Sequence, residues 1–217
     1  MVGADLSGIE LRMLAHYLAR YDGGRYAKLL LEDDIHQINA DKIGISRRQV
    51  KTVTYAFLYG AGDEKIGHSY DPQLPTTAAK KKGKEIRAAY VDAVDGLDAL
   101  LKAIKQAAER GFIKSIDGRK ITVDSPHKAL NYCLQSGAGV IAKRWMVINQ
   151  ETMREAQICA SQLGFIHDEL QFECAPEHVG DLSTSLVYSA TAAGEYYNMR
   201  IRIDAEATNG INWSETH

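Results

Sequence analysis

Arg47, Lys51, Tyr55 and Tyr59 recur at every fourth residue. At about 100° per residue such a series drifts only about 40° per step, so all four share one helical stripe. Its cationic half leads into an aromatic half. Guanidinium and ammonium groups neutralise phosphates, and a tyrosine ring packs against a sugar or a base. A ligand with a polyphosphate at one end and a planar base at the other matches that order, as a nucleoside triphosphate does. The bland alternative is an amphipathic helix with tyrosines in the core and cations in water.

A second constellation is acidic. Asp5 ends a short apolar piece, and Asp168 lies in His167-Asp168-Glu169 between two apolar runs. One carboxylate at a strand end and another on a tight hairpin can meet at a sheet edge and hold two magnesium ions about 3.5–4 Å apart. One ion would lower the pKa of an attacking hydroxyl and the other would steady a leaving oxygen. An Asp in a hairpin turn also has a purely local explanation, since it favours turns on its own. The charge is split between regions. Residues 42–128 carry 17 Lys and Arg against 10 Asp and Glu, while residues 165–217 carry 2 against 9. The first region suits phosphate and the second suits cations.

These side chains need elements to position them. Met1–Ala4 reads as a short strand, and Ser7 as the cap of a helix through Ile9, Leu11, Leu14, Tyr17 and Leu18, which puts Asp5 at a strand-to-helix junction. A helix is predicted near Ile35–Asn39. Ser46 is placed to cap the helix carrying the four-residue stripe, and Gly60-Ala61-Gly62 to stop it. The spacing predicts a helical hairpin over Thr76–Arg110, broken near Gly96, then a β-hairpin over Phe112–Asp124 turning at Asp117-Gly118. A long helix from about Lys128 to Ser161 follows. Phe165–Glu173 reads as two short strands with Asp168 and Glu169 in their turn, and a helix over Val179–Tyr197 leads into a strand over Met199–Ala207.

The chain has 217 residues, 45% of them hydrophobic and 25% charged, and a formal net charge of -2, an ordinary globular composition. No leader pattern or membrane-length apolar run occurs, which points to a soluble intracellular protein with no membrane partner. Cys133, Cys159 and Cys174 lack C-x-x-C spacing, so neither a disulfide framework nor a zinc site is indicated.

Taken together the strings resemble the motifs of family A DNA polymerases, in order. Asp5-Leu6-Ser7-Gly8-Ile9-Glu10-Leu11-Arg12 resembles motif A, Arg47-x3-Lys51-x3-Tyr55-x3-Tyr59-Gly60 motif B, and His167-Asp168-Glu169 motif C. Similarity extends through Asp34-Ile35-His36, Gly60–Gly67, Asp117–Lys120, Ser125-Pro126-His127, Leu130-Asn131, Leu134-Gln135-Ser136 and Asn212-Trp213 before a terminal histidine. The likeness is greatest to replicative enzymes of T-odd bacteriophages, which implies action in a host bacterial cytoplasm. The fold it implies is α+β: a palm with a small antiparallel sheet backed by helices, plus a helical fingers subdomain. The palm would span residues 1–41 and 112–217, and the fingers 42–111.

The resemblance also implies roles. Asp5 and Asp168 would bind two Mg2+ ions, with Mn2+ able to substitute, and the Leu6 carbonyl would be a further ligand. Arg47, Lys51 and His36 would grip the triphosphate, with Lys51 donating a proton to pyrophosphate. Tyr55 would lie on the deoxyribose, Tyr59 near the templating position, and Glu10 would exclude a ribose 2′-hydroxyl. His127, Asn131 and Gln135 would touch the minor groove and His167 the DNA, while Glu169 would tune the site. Primer-template DNA and dNTPs are the implied partners. Relatives carry a proofreading domain, a thumb and the start of the palm before motif A. A naturally split enzyme, with its thumb on a second polypeptide that carries an exonuclease or lacks one, is therefore expected, and a truncated product is the alternative. Other readings are a non-catalytic assembly subunit and a single-subunit RNA polymerase. The segment between motif B and Asp117 is shorter than in the phage relatives, and Asp124 replaces an expected basic residue.

Overall fold

The structure, a computed structural model, describes residues 1–217. It divides into two compact units, one of residues 1–13 and 136–217 and one of residues 14–135. The first unit is built on β1 (Val2–Leu6), whose residues are all buried except Asp5. Burial on both faces fits a central strand, and β1 lies between β5 (Glu169–Cys174) and β6 (Ala205–Asn209) in an antiparallel sheet ordered β4-β5-β1-β6, with β4 being Ala160–Ile166. Helix α9 (Val179–Tyr196) packs on β1 and β6. Its Leu182, Leu186, Ala190 and Ala193 recur at helical spacing and are fully buried. Trp145, on the later part of α8 (Ala129–Glu155), is fully buried, and its Nε1 donates to the Leu186 carbonyl at 2.8 Å.

The second unit is helical except for one small hairpin. It holds most of α1 (Ile9–Asp22), then α2 (Arg25–Glu32), α3 (Ile35–Ile43), α4 (Arg47–Leu58), α5 (Asp63–Tyr70), α6 (Thr76–Ala93) and α7 (Leu97–Ala108). Strands β2 (Phe112–Lys114) and β3 (Lys120–Thr122) pair with Phe112 opposite Thr122. The Asp34 side chain caps α3 by accepting from the His36 and Gln37 amides, and Ser46 with Gln49 forms a capping box on α4. Beneath the hairpin, Ala108, Ile113, Ala129 and Cys133 form a buried cluster against Tyr17, Ile104 and Tyr132.

The predicted α+β arrangement is present, with local differences. The long helix ends at Glu155, not near Ser161: Gln157 turns left-handed at φ 56°, and the Ile158 amide bonds back to the Met153 carbonyl. Ala160, Gln162 and Leu163 are good helix formers, and pairing with β5 overrides that preference. Only Ala205–Asn209 of the last predicted strand pairs. Ile201 and Ile203 are buried and Arg202 is exposed, so the segment mimics strand alternation without a partner. Gly8, at φ 55°, accepts the first bond of α1 from the Arg12 amide, so Ser7 does not occupy the cap, and the Ser7 carbonyl instead accepts Arg12 Nε at 2.5 Å. Helices α2, α5 and α10 (Trp213–Thr216) are additional. All three cysteines are free, and no helix is long and apolar enough to cross a membrane.

Helices α5 and α6 touch at backbone distance. A Cβ on Gly83 would stand 1.7 Å from the Asp63 carbonyl oxygen, and one on Gly67 1.9 Å from that of Ala79. Backbone cannot swing aside as a side chain can, so Gly83→Ala must separate the helices. A loss of about 1–3 kcal/mol is expected, visible as a lower thermal midpoint by circular dichroism. An unchanged midpoint would contradict this packing.

Candidate active site

Strand pairing gathers the acidic residues. Asp5 stands opposite Glu169 on β5 and Glu206 on β6, and the Leu6 amide donates to the Asp168 carbonyl at 3.1 Å. The turn between β4 and β5 is His167-Asp168, made possible by His167 in the left-handed region at φ 57°. Glu169 therefore begins β5 and does not lie in the turn as predicted. Asp5 remains exposed, yet its carboxyl is pushed up to about 6, first by partial loss of water and then by repulsion from Asp168, Glu169, Glu10 and Glu206. Asp168 is also raised, by partial burial and then by Glu10, with the His167 side chain opposing. Asp168 makes Asp5 harder to ionise, and a cation beside them would remove that cost.

No three His, Cys, Asp or Glu side chains gather into a ready-made metal cage. The expected donors Asp5, Asp168 and the Leu6 carbonyl would offer a cation only hard oxygen atoms, which suit Mg2+. The Leu6 side chain is fully buried, so only its backbone is available to a ligand.

Glu169 has a different environment from its neighbours. It is 5% exposed, and its carboxylate accepts from Gln171 Nε2 and from Trp213 Nε1 at 2.9 Å, with His217 Nδ1 at 2.6 Å from its other oxygen. Thr216 adds a hydroxyl bond to Gln171 Oε1 at 2.8 Å. Burial raises the Glu169 pKa, but the bonds from Gln171, Trp213 and His217 together outweigh it and leave it lowered. The structural partners Gln171, Trp213, Thr216 and His217 had no sequence signal beyond the Asn212-Trp213 string and the final histidine.

The second unit holds the cationic and aromatic set. Helix α4 buries Val50, Val53, Thr54, Phe57 and Leu58, so the stripe lies on the other side. Arg47 and Lys51 are exposed, Tyr55 is half-buried, and Tyr59 is 52% exposed. This overturns the alternative of a core tyrosine stripe. Arg47 Nε meets Asp34 Oδ2 at 2.6 Å. His36 is buried, its ring centroid lies 6.3 Å from that of Tyr55, and its Nδ1 has no protein partner. Burial, then Arg47 and Lys51, push the His36 pKa down, so it is neutral near pH 7. The Gly60 turn adjoins the residues expected at DNA: its absent Cβ would sit 3.6 Å from the His127 carbonyl and 3.9 Å from Asn131 Cβ. Gly60–Asp63, Arg87 and His127 line a cleft of about 500 Å3. Asn131 Nδ2 is buried without a partner, and Gln135 is half-buried one turn further along α8. Asp5, Glu10, His167, Asp168 and Glu169 thus share one unit, while His36, the stripe, His127, Asn131 and Gln135 share the other.

Residues 1–215 match the model of DNA polymerase family A. The chain belongs to DNA polymerase family A. It is similar to the DNA-directed DNA polymerase of Enterobacteria phage T3, 36% identical over 238 residues, covering 99% of this chain and 33% of the relative. The corresponding enzyme of Escherichia phage T7 is 35% identical with the same coverage. The family A chain thus spans about a third of the length of these relatives. Its fold is similar to the POL domain of Pol1 from M. smegmatis, solved in complex with DNA primer-template and dNTP, with a TM-score of 0.81 at 24% identity over 100% of this chain and 40% of that one.

Three outcomes follow from this geometry. Asp5 is protonated below about 6, so Mg2+ binding followed by calorimetry is expected to weaken as pH falls through that value. Asp168→Asn removes the strongest repulsion on Asp5, whose titration by carboxyl NMR should then move down toward 3.8. Glu169→Ala deprives Trp213 and Gln171 of their acceptor and is expected to cost about 1–3 kcal/mol in denaturant unfolding. A wild-type midpoint in Glu169→Ala would remove the anchoring role.

Proposed function

We propose that this chain carries the nucleotidyl-transfer site of a DNA-directed DNA polymerase. The observation that carries the proposal is the meeting of Asp5 and Asp168, distant in sequence, at one sheet end, where the Leu6 amide bonds to the Asp168 carbonyl and both carboxyls are pushed up. The reaction is attack of a primer 3′-hydroxyl on the α-phosphate of a dNTP. The new P–O bond forms as the bond to the β-phosphate breaks, and pyrophosphate leaves. Asp5, Asp168 and the Leu6 carbonyl hold divalent cations, Mg2+ or Mn2+, which when bound neutralise phosphate charge and favour the ionised hydroxyl.

The remaining work belongs to side chains. Arg47, Lys51 and neutral His36 grip the triphosphate, and Lys51 supplies a proton to the departing pyrophosphate. Tyr55 packs against the deoxyribose, and Glu10 excludes a 2′-hydroxyl. Tyr59 stands at the templating position, and His127, Asn131, Gln135 and His167 contact DNA. In this assignment residues 42–111 act as fingers and the rest as palm, with α4 closing over the nascent pair as a check on base pairing. A thumb to grip duplex is supplied from outside these residues, on a separate polypeptide if the enzyme is split, and the enzyme works in the host bacterial cytoplasm.

Primer extension tests this directly. The chain mixed with a thumb-bearing polypeptide is expected to extend a primer, and Asp168→Ala to lose about 10³-fold or more, the loss of several kcal/mol of charge stabilisation. Undiminished extension by Asp168→Ala would favour a non-catalytic assembly subunit. Ribonucleotide incorporation at equal efficiency would favour an RNA polymerase.

A further inference from the structure

The turn that leaves α4 is fastened by a side chain outside every sequence motif. Helix α4 ends with the Gly60 amide bonded to the Phe57 carbonyl and the Ala61 amide to that of Ala56 at 2.9 Å, with Gly60 left-handed at φ 74°. That closure leaves the Ala61 carbonyl outside the helix. Arg87, on α6, takes it: Nη2 donates to the Ala61 carbonyl, and Nε meets Asp63 Oδ1 at 2.6 Å. The guanidinium also lies over the Phe57 ring, 5.5 Å from its centroid. One planar cation thus joins the end of α4, the turn, and the first residue of α5.

This fork is not what docks α5 on α6. The glycine contacts at Gly67 and Gly83 already bring those two helices to backbone distance. What Arg87 adds is the tie between that rigid pair and the end of α4, where Tyr59 stands. The fixed turn also faces His127 and Asn131 across the cleft. Only a guanidinium has the fork for this. A lysine ammonium is a compact point charge, without the planar fork whose two edges reach Asp63 and the Ala61 carbonyl in fixed geometry over Phe57.

We infer that Arg87 is a positioning residue for the templating side of the nascent base pair: by tying the Tyr59–Asp63 turn to α6, it sets where Tyr59 and the Gly60 backbone meet the base to be copied. This rests on the polymerase reading above. Displacing such a contact by about 1 Å costs up to about 10²-fold in the step it serves.

Two measurements on the full chain test it. In Arg87→Lys the thermal midpoint is expected to stay near wild type while the Gly60 and Ala61 amides exchange hydrogen about tenfold or more faster, and Arg87→Ala should do the same with a lower midpoint. With the thumb-bearing polypeptide, Arg87→Lys should narrow the ratio of correct to incorrect kcat/KM by about tenfold or more, with Kd for primer-template unchanged. Unchanged exchange at Gly60 and Ala61 in both variants would overturn the clamp. Faster exchange with full discrimination would overturn its role in reading the template. The exchange measurement needs no catalysis, so a wild-type chain that extended no primer would count against the polymerase reading alone.

Discussion

The pairing of β1 with β5 and β6 forces together carboxylates that repel one another, and the rest of the first unit supplies the free energy to hold them there. Asp5 is the exposed residue of a strand otherwise sealed on both faces, and its cross-strand neighbours are Glu169 and Glu206. Hydrophobic burial fixes that register, because a shift of one residue would turn Val2, Ala4 and Leu6 out of the core and Asp5 into it. The stripe of Leu182, Leu186, Ala190 and Ala193 on α9, with Trp145 bonded to its backbone, makes the slip costly. The sheet thus stores an electrostatic cost that a cation beside Asp5 would release.

The second unit solves the opposite problem, keeping cations and rings outside. Helix α4 spends its apolar residues on the inner side, which leaves Arg47, Lys51, Tyr55 and Tyr59 along the outer one. Each end is then fixed. The Ser46 capping box and the Arg47 pair with Asp34, which itself caps α3, define where the stripe begins. Gly60 and the Arg87 fork define where it ends. His36, buried against Tyr55 and beside two cations, stays neutral for the same reason that Asp5 resists ionising: a like charge nearby and little water.

Most elements were legible because their signals are local. Ser46, Gly60, Gly96 and Asp117-Gly118 each impose a cap or turn through their own chemistry, and the structure has a boundary at each. The misplacements occur where a distant partner decides. Ala160, Gln162 and Leu163 favour helix alone and lie in the strand that pairs with β5, while Ile201 and Ile203 alternate like a strand but pair with none. The site divides in the same way. The four-residue stripe follows from helical periodicity, whereas the meeting of Asp5 with Asp168, the Arg87 fork and the Glu169 anchor depend on tertiary pairing that spacing does not encode.

Adjacent carboxylates in this sheet therefore have opposite charge behaviour. Glu169 receives three donors and is stabilised as an anion, so its contribution to folding is present above its ordinary 4.5 and is lost as pH falls through its lowered value. Asp5 lacks such donors and its pKa is raised, so with no cation the folded state loses stability as pH rises from about 3.8 to about 6. A carboxylate already satisfied by Trp213 and His217 has little left to offer a metal, while Asp5 and Asp168 have unmet demand. Glu169 thereby pins the C-terminal segment to β5 beside the turn that presents Asp168, and leaves Asp5 and Asp168 as the carboxyls whose charge is not compensated.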